Sequence, residues 1–139
     1  MIYALVWICI KDRQVLCTKT RGKDVFYMPG GKREDGESDW DGLFREIQEE
    51  LNVALIRQTL AEVTVVQELA HGYSEPMQVR MKCSQADYVG EIVPSSEIEE
   101  IAWLNYKDLK KCTAAARKVI EYLRDRFAHP LWGYRNLID

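Results

Sequence analysis

The chain has 139 residues, of which 47% are apolar and 29% charged, and its net charge is -3. That length suits one domain with a core large enough to need no disulfide or metal staple, and the composition excludes a disordered or fibrous chain. The mildly acidic balance excludes a broad basic field for gripping long nucleic acid, while leaving room for a local patch.

Residues 2–10 form an apolar run too short to span a bilayer, with neither a basic lead-in nor a small-residue cleavage site. The four cysteines, Cys9, Cys17, Cys83 and Cys112, are scattered, with no C-x-x-C pair and no paired histidine spacing. A zinc site is therefore not expected, and the thiols read as reduced and buried in a cytoplasmic protein with no membrane partner.

In chain order, residues 2–10 read as a buried strand, 11–13 as a polar turn and 14–19 as a second strand, together a hairpin. Residues 20–24 make a polar loop holding Arg21 and Lys23, and 25–28 a short extended piece running into Pro29-Gly30-Gly31, where the glycines let the backbone turn sharply against a ligand. After a helical segment, 59–69 and 78–88 read as strands joined by a loop at 70–76. Residues 89–96 form a loop, 98–104 begin as turn and end as a strand at 101–104, and 106–109 suit a helical turn. Residues 113–127 form a second helix, with Thr113 as its cap and Ala115, Val119, Tyr122, Leu123 and Phe127 on its apolar face. The tail, 129–139, is apolar enough to pack back on the domain or on a second copy.

The chain is organised around residues 31–53. Trp40, Leu43, Phe44, Ile47 and Leu51 fall on one helical stripe. Glu46, Glu49 and Glu50, at i, i+3 and i+4, share a face expected to point away from the core. Carboxylates at that spacing repel, and Arg45 neutralises only part of their charge, so a hard divalent cation is the natural complement, with Mg²⁺ the default beside phosphates.

The full spacing resembles the Nudix box, G-x5-E-x7-R-E-U-x-E-E-x-G-U, where U is aliphatic. Gly31, Glu37, Arg45, Glu46, Ile47, Glu49, Glu50 and Val53 match it, and Asn52 stands in place of the late glycine. Asparagine is the residue next best able to close a helix in the left-handed conformation, so the helix end should survive. The Met28-Pro29-Gly30-Gly31-Lys32 lead-in is similar to the family as well.

The resemblance implies an α/β protein of the Nudix fold, an α/β/α sandwich with a mixed β-sheet, covering residues 1–139 as a single domain. It implies hydrolysis of a pyrophosphate bond in a nucleoside diphosphate linked to another moiety X, with Mg²⁺ as cofactor and Mn²⁺ as the alternative. By position, Glu46, Glu49, Glu50 and the carbonyl of Gly30 would hold the metal. Arg45, counted with the catalytic residues, would hold the glutamates in place, with Glu37 as a second partner. The general base would be Glu97 on the loop before the Trp103 strand, or else Glu46; Glu99 and Glu100 share that loop. Lys32 and Arg21 are the candidates for phosphate contact, with Lys23 of the same kind. His71 and His129 read as loop residues, and Tyr73, Tyr88 and Trp103 as either core or base-stacking residues.

Residues 54–75 contain no proline, which weakens an ADP-ribose reading, and Tyr73 sits late for a dinucleoside polyphosphate hydrolase. The remaining resemblance is to small MutT-like members that convert nucleoside triphosphates, including oxidised ones, to monophosphate and pyrophosphate. The same chemistry on RNA 5′ triphosphate ends or nucleotide sugars is the alternative, and a basic cleft flanking the acids would favour RNA. A non-catalytic nucleotide sensor is the third reading, disfavoured by the intact glutamates. The expected partner is a small nucleotide rather than extended nucleic acid, bound by a monomer or homodimer.

Overall fold

The computed structural model describes residues 1–127. The tail, 129–139, with His129 and its expected packing, lies outside the described residues. The apolar run at 2–10 divides at Cys9 into β1 (Ile2–Ile8) and β2 (Ile10–Lys11), which belong to different sheets. Asp12 and Arg13 take left-handed φ values of 52° and 62°, the turn geometry that matches the twist of a hairpin. The hairpin is accordingly β2 with β3 (Gln14–Thr20), Ile10 opposite Val15 and Lys11 opposite Gln14.

β1 instead runs parallel to β7 (Gln78–Gln85), from Ile2 opposite Val79 to Ile8 opposite Gln85, which corrects the expected pairing of the whole run with 14–19. A strand buried on both faces carries no alternation that assigns it to one neighbour. β1 is flanked on its other side by β4 (Gly30–Gly31), and β7 by β6 (Ala61–Leu69), giving a mixed four-stranded sheet in the order β4-β1-β7-β6. A second sheet, β2-β3-β9, ends in β9 (Ile98–Leu104), a continuous strand where a turn was expected for its first half. A short pair, β5 (Ala54–Leu55) with β8 (Tyr88–Val89), takes Tyr88 out of the 78–88 strand, and a 3-10 turn at Arg57–Thr59 delays the start of β6.

Alternation along β1 builds the two halves of the core. Leu5, Trp7 and Cys9 face one way, joined by Leu16 of β3 and by Leu43, Ile47 and Leu51 of α1 (Asp39–Leu51). Val6, Ile8 and Ile10 face the other way, joined by Val15, Cys17, Met81 and Cys83 and by Ala115, Ala116, Val119, Ile120 and Leu123 of α2 (Ala114–Phe127). The result is a mixed sheet between two helices, the α/β/α arrangement expected. Burying each large aliphatic side chain contributes about 1.5–3 kcal/mol, and Trp7, Ile47, Leu51 and Val119 are each fully buried. Thr113 caps α2, its hydroxyl accepting the Ala116 N–H at 3.1 Å, as its position suggested.

Candidate active site

α1 begins where the Ser38 hydroxyl accepts the Asp41 N–H at 3.1 Å, and Asp39 and Asp41 complement the positive end of the helix dipole. It ends at Asn52, held at φ 62° and ψ 24°, with its N–H on the Gln48 carbonyl. That is the left-handed cap foreseen for this position. The last turn holds no basic residue. Glu49 and Glu50 sit there instead, at the negative end of the dipole, where carboxylates are disfavoured.

The loop before β9 closes over this end. The Val93 and Ser95 amides donate to the Leu51 and Glu50 carbonyls at 3.0 and 2.9 Å, and the Ser95 hydroxyl donates to the Glu49 carbonyl at 2.5 Å. Asn52 adds a side-chain bond to the Val93 carbonyl at 3.0 Å. Glu97 is thereby brought to the acidic end of α1, and its carbonyl accepts the Arg21 N–H at 2.8 Å from the facing loop. Glu99 and Glu100 are carried away along β9, where Glu100 pairs with Lys19 at 3.5 Å.

The three box glutamates differ. Glu49 is exposed, whereas Glu50 is only 6% exposed. The expectation that all three acids face away from the core is therefore corrected. Glu50 follows Ile47 by three residues and Leu43 by seven, which places it on the flank of the buried stripe. There it accepts the Gly30 N–H at 3.1 Å. Burial pushes its carboxyl up to about 8, against the pull of the Gly30 bond, and the charges of Glu46, Glu97 and Glu49 raise it further. Glu46 is also raised, first by burial, with Arg45 opposing and Glu49 and Glu97 adding.

Gly30 is required by sterics, and Gly31 leaves room for a neighbouring side chain. Gly30 has φ of 136°, and a Cβ there would lie 1.9 Å from the Leu5 carbonyl oxygen. A Cβ on Gly31 would lie 2.6 Å from the Glu46 carboxylate. The turn thus lets two glutamates lie against backbone.

Arg45 ties the site together. Its Nε and Nη2 donate to Glu37 Oε2 and Oε1 at 2.7 and 3.0 Å, and Nη2 reaches the Lys32 carbonyl at 3.1 Å. Nη1 donates to Glu46 at 3.0 Å and to Glu49 at 3.4 Å. The Arg45 bond holds the Glu37 carboxyl below its usual range, helped by the Glu34 amide. The bidentate hold on Glu37 is the geometry that guanidinium makes and ammonium cannot.

The donor set suits a hard cation. Glu46, Glu49 and Glu97 act electrostatically on Glu50, Glu49 and Glu97 act on Glu46, and Arg45, the guanidinium beside them, is also shared with Glu37. All the side-chain donors are carboxylate oxygens, the ligand chemistry of Mg²⁺ and its relatives. Among the described residues no three Asp, Glu, His or Cys side chains already converge in a ligating cluster, for Glu46 and Glu49 are turned onto Arg45.

The other candidates divide. Arg21 and Lys23 are exposed on the loop facing Glu97, and Lys32 is exposed beside the Gly30–Gly31 turn. Tyr27, which the sequence did not single out, stacks edge-on against His71 at 5.9 Å. Burial raises its hydroxyl pKa, with Asp24 and the exposed Tyr73 adding to the effect, so the loop at 70–76 is gathered over this side. The signal available was its place just before Met28-Pro29-Gly30. Tyr88 and Trp103 are not in this group. Tyr88 packs edge-on against Trp7 at 5.3 Å, and both Tyr88 and Trp103 lie under Lys11 at the other end of the sheets. Both pack against the α1-side core, which holds them there.

Comparison with known proteins agrees with this fold. The chain is 29% identical over 106 residues to an uncharacterised Nudix hydrolase of Bacillus subtilis (strain 168), a match spanning 75% of this chain and 66% of that protein. It is similar in fold to the MutT protein of Bacillus halodurans, with a TM-score of 0.67 at 20% identity, covering 88% of this chain and 82% of that one. An Ap4A hydrolase of C. elegans is similar with a TM-score of 0.70 at 16% identity, covering 92% and 98%. At those identities the structural likeness carries the fold alone. The NUDIX domain family model matches residues 2–123, and the chain belongs to that family, whose hydrolases cut pyrophosphate bonds in nucleoside diphosphate-linked substrates and generally use divalent metal ions.

Proposed function

We propose that this chain hydrolyses a pyrophosphate bond in a nucleoside diphosphate-X substrate with Mg²⁺, Mn²⁺ being the alternative, and that its main substrate is a nucleoside triphosphate, common or oxidised. The observation that carries this reading is the excess of carboxylate at the end of α1, with Glu50 buried among Glu46, Glu49 and Glu97. When bound, the cation neutralises charge on the phosphates and activates the attacking water. Glu46, Glu49 and Glu50, with the Gly30 carbonyl, hold it. Arg45 positions Glu46 and Glu49 through its grip on Glu37. Glu97, or else Glu46, takes the proton from water. Lys32 and Arg21 meet phosphate oxygens.

All four cysteines are buried thiols, which supports a reducing, cytoplasmic setting. Among the described residues no helix is long and apolar enough to cross a membrane. The test is release of phosphate and pyrophosphate, with Mg²⁺ or with chelator. The substrates are common and oxidised nucleoside triphosphates, ADP-ribose, dinucleoside polyphosphates and nucleotide sugars. Pyrophosphate from a triphosphate, lost on chelation, is the expected result. Nucleotide binding with no turnover of any substrate would give the fold to a sensor instead.

A further inference from the structure

A separate cavity of about 330 Å³ lies away from the glutamates. Its floor is Val15 of β3, Leu104 of β9, and Ile120 and Leu123 of α2. All four belong to the α2-side core, so the floor is apolar and firmly packed. Arg124 follows Ile120 by four residues and therefore rises from the same helix face to the rim.

The cavity and the acidic end of α1 stand at opposite ends of β3. Arg13, at the tip of the β2–β3 turn, lines the cavity. The other end of the strand, Thr20, leads to Arg21, whose N–H meets the Glu97 carbonyl. The seven residues of β3 put about 20 Å between the two ends. A small molecule held in the cavity does not reach the carboxylates of α1.

The mouth carries unbalanced positive charge. Arg13, Arg124 and Lys107, the last in the 3-10 turn Tyr106–Lys111, all line it, whereas Asp12 is the one acid lining it among the described residues. Arg13 and Lys107 make no ion pair among the described residues, and Arg124 meets only its exposed neighbour Asp125, at 3.5 Å. The Arg124 guanidinium also stands 5.9 Å from the centre of the Tyr106 ring, which is 48% exposed and forms one wall. A solvated surface accounts for each cation singly. It does not account for three of them around an apolar recess walled by an open aromatic ring.

These features suit the two halves of one ligand. The apolar floor disfavours a bare hydrated ion, and the cations give an anion an advantage over a neutral apolar molecule. A flat aromatic body can lie against Tyr106 and the face of the Arg124 guanidinium. One carboxylate on that body can take the bidentate fork of an arginine. The volume is at the low end for small-molecule sites, which limits the body to about two rings.

The geometry points to a second binding site, for a small aromatic carboxylate, in the cavity between the β2–β3 turn, β9 and α2. It is independent of the hydrolase reading above.

The test maps amide chemical shifts of the full-length protein during titration with naphthoate, in chelator and without nucleotide. Saturable shifts should appear at Arg13, Tyr106, Lys107 and Arg124 and leave Gly30, Glu49 and Glu50 unmoved. Naphthalenemethanol, the neutral analogue, should bind at least tenfold more weakly, and added salt should weaken naphthoate alone. Arg13→Gln with Arg124→Gln should weaken naphthoate at least tenfold. Both side chains are exposed, so the wild-type Tm should be kept. Tyr106→Ala should weaken naphthoate and its neutral analogue alike, each about fivefold.

Absence of saturable shifts would overturn the proposal, whether water or residues 129–139 fill the cavity. Shifts centred on the glutamates would overturn it too, as would equal naphthoate affinity in the double variant. Adenosine monophosphate binding at these residues more tightly than naphthoate would overturn it in favour of a nucleotide site.

Discussion

Replacing Glu50 by glutamine should make the metal-free protein more stable while destroying its function. Glu50 is 6% exposed, and its carboxyl is raised to about 8 from an ordinary 4.5, first by burial. A carboxyl whose folded pKa is raised keeps its proton in the folded state after the unfolded chain has lost it. Stability therefore falls as pH climbs from about 4.5 toward 8, by up to about 1.4 kcal/mol per pH unit. Between about pH 5 and pH 8 the wild type should lose roughly 3.5 kcal/mol at most to this one group, and about 2–3 kcal/mol once the site relaxes around the charge. Glutamine keeps an acceptor for the Gly30 N–H and has nothing to ionise. Thermal unfolding in chelator should show the Tm difference, Glu50→Gln minus wild type, growing by about 10 °C between those two pH values. The change between pH values matters more than either difference alone, because it cancels the pH-independent cost of the amide. Parallel pH profiles for the two proteins would refute the reasoning and leave Glu50 ionised without penalty.

Arg45→Lys keeps the charge and loses the fork that grips Glu37; metal affinity should fall about 10- to 100-fold with the fold intact, read by Mg²⁺ titration of activity. Gly30→Ala puts a Cβ 1.9 Å from the Leu5 carbonyl oxygen, at a φ of 136°, and should cost about 3 kcal/mol or more in denaturant unfolding. Asn52→Ala should cost about 1–2 kcal/mol, through left-handed strain and the missing bond to Val93. Asn52→Gly should stay within about 0.5 kcal/mol in the same assay, because glycine suits the cap and offsets the missing bond.

Features set by neighbours along the chain were legible in the sequence. The apolar stripe of α1, the left-handed close at Asn52 and the Thr113 cap depend on spacing and local chemistry, and each stands where it was read. What depends on distant pairing was not legible. The division of residues 2–10 at Cys9 follows from β1 choosing β7, some seventy-five residues away, over the adjacent strand. The burial of Glu50 needs the Gly30 turn and the loop at 91–97 to close on it, and a helical pattern shows only that it borders the stripe. Arg13, Lys107 and Arg124 surround one cavity only after the β2–β3 turn, the end of β9 and α2 come together. A net charge of -3 described the whole chain and concealed that local concentration.

The catalytic assignment stands most directly on Glu49, which is exposed at the end of α1 and does not hold the core together. Pyrophosphate release from a nucleoside triphosphate should be measured for wild type and Glu49→Gln across a Mg²⁺ titration. The variant should keep the wild-type Tm in chelator and lose about 100-fold or more in kcat/KM, with a weakened Mg²⁺ dependence. Turnover by Glu49→Gln at the wild-type rate, with the same Mg²⁺ dependence, would contradict the assignment.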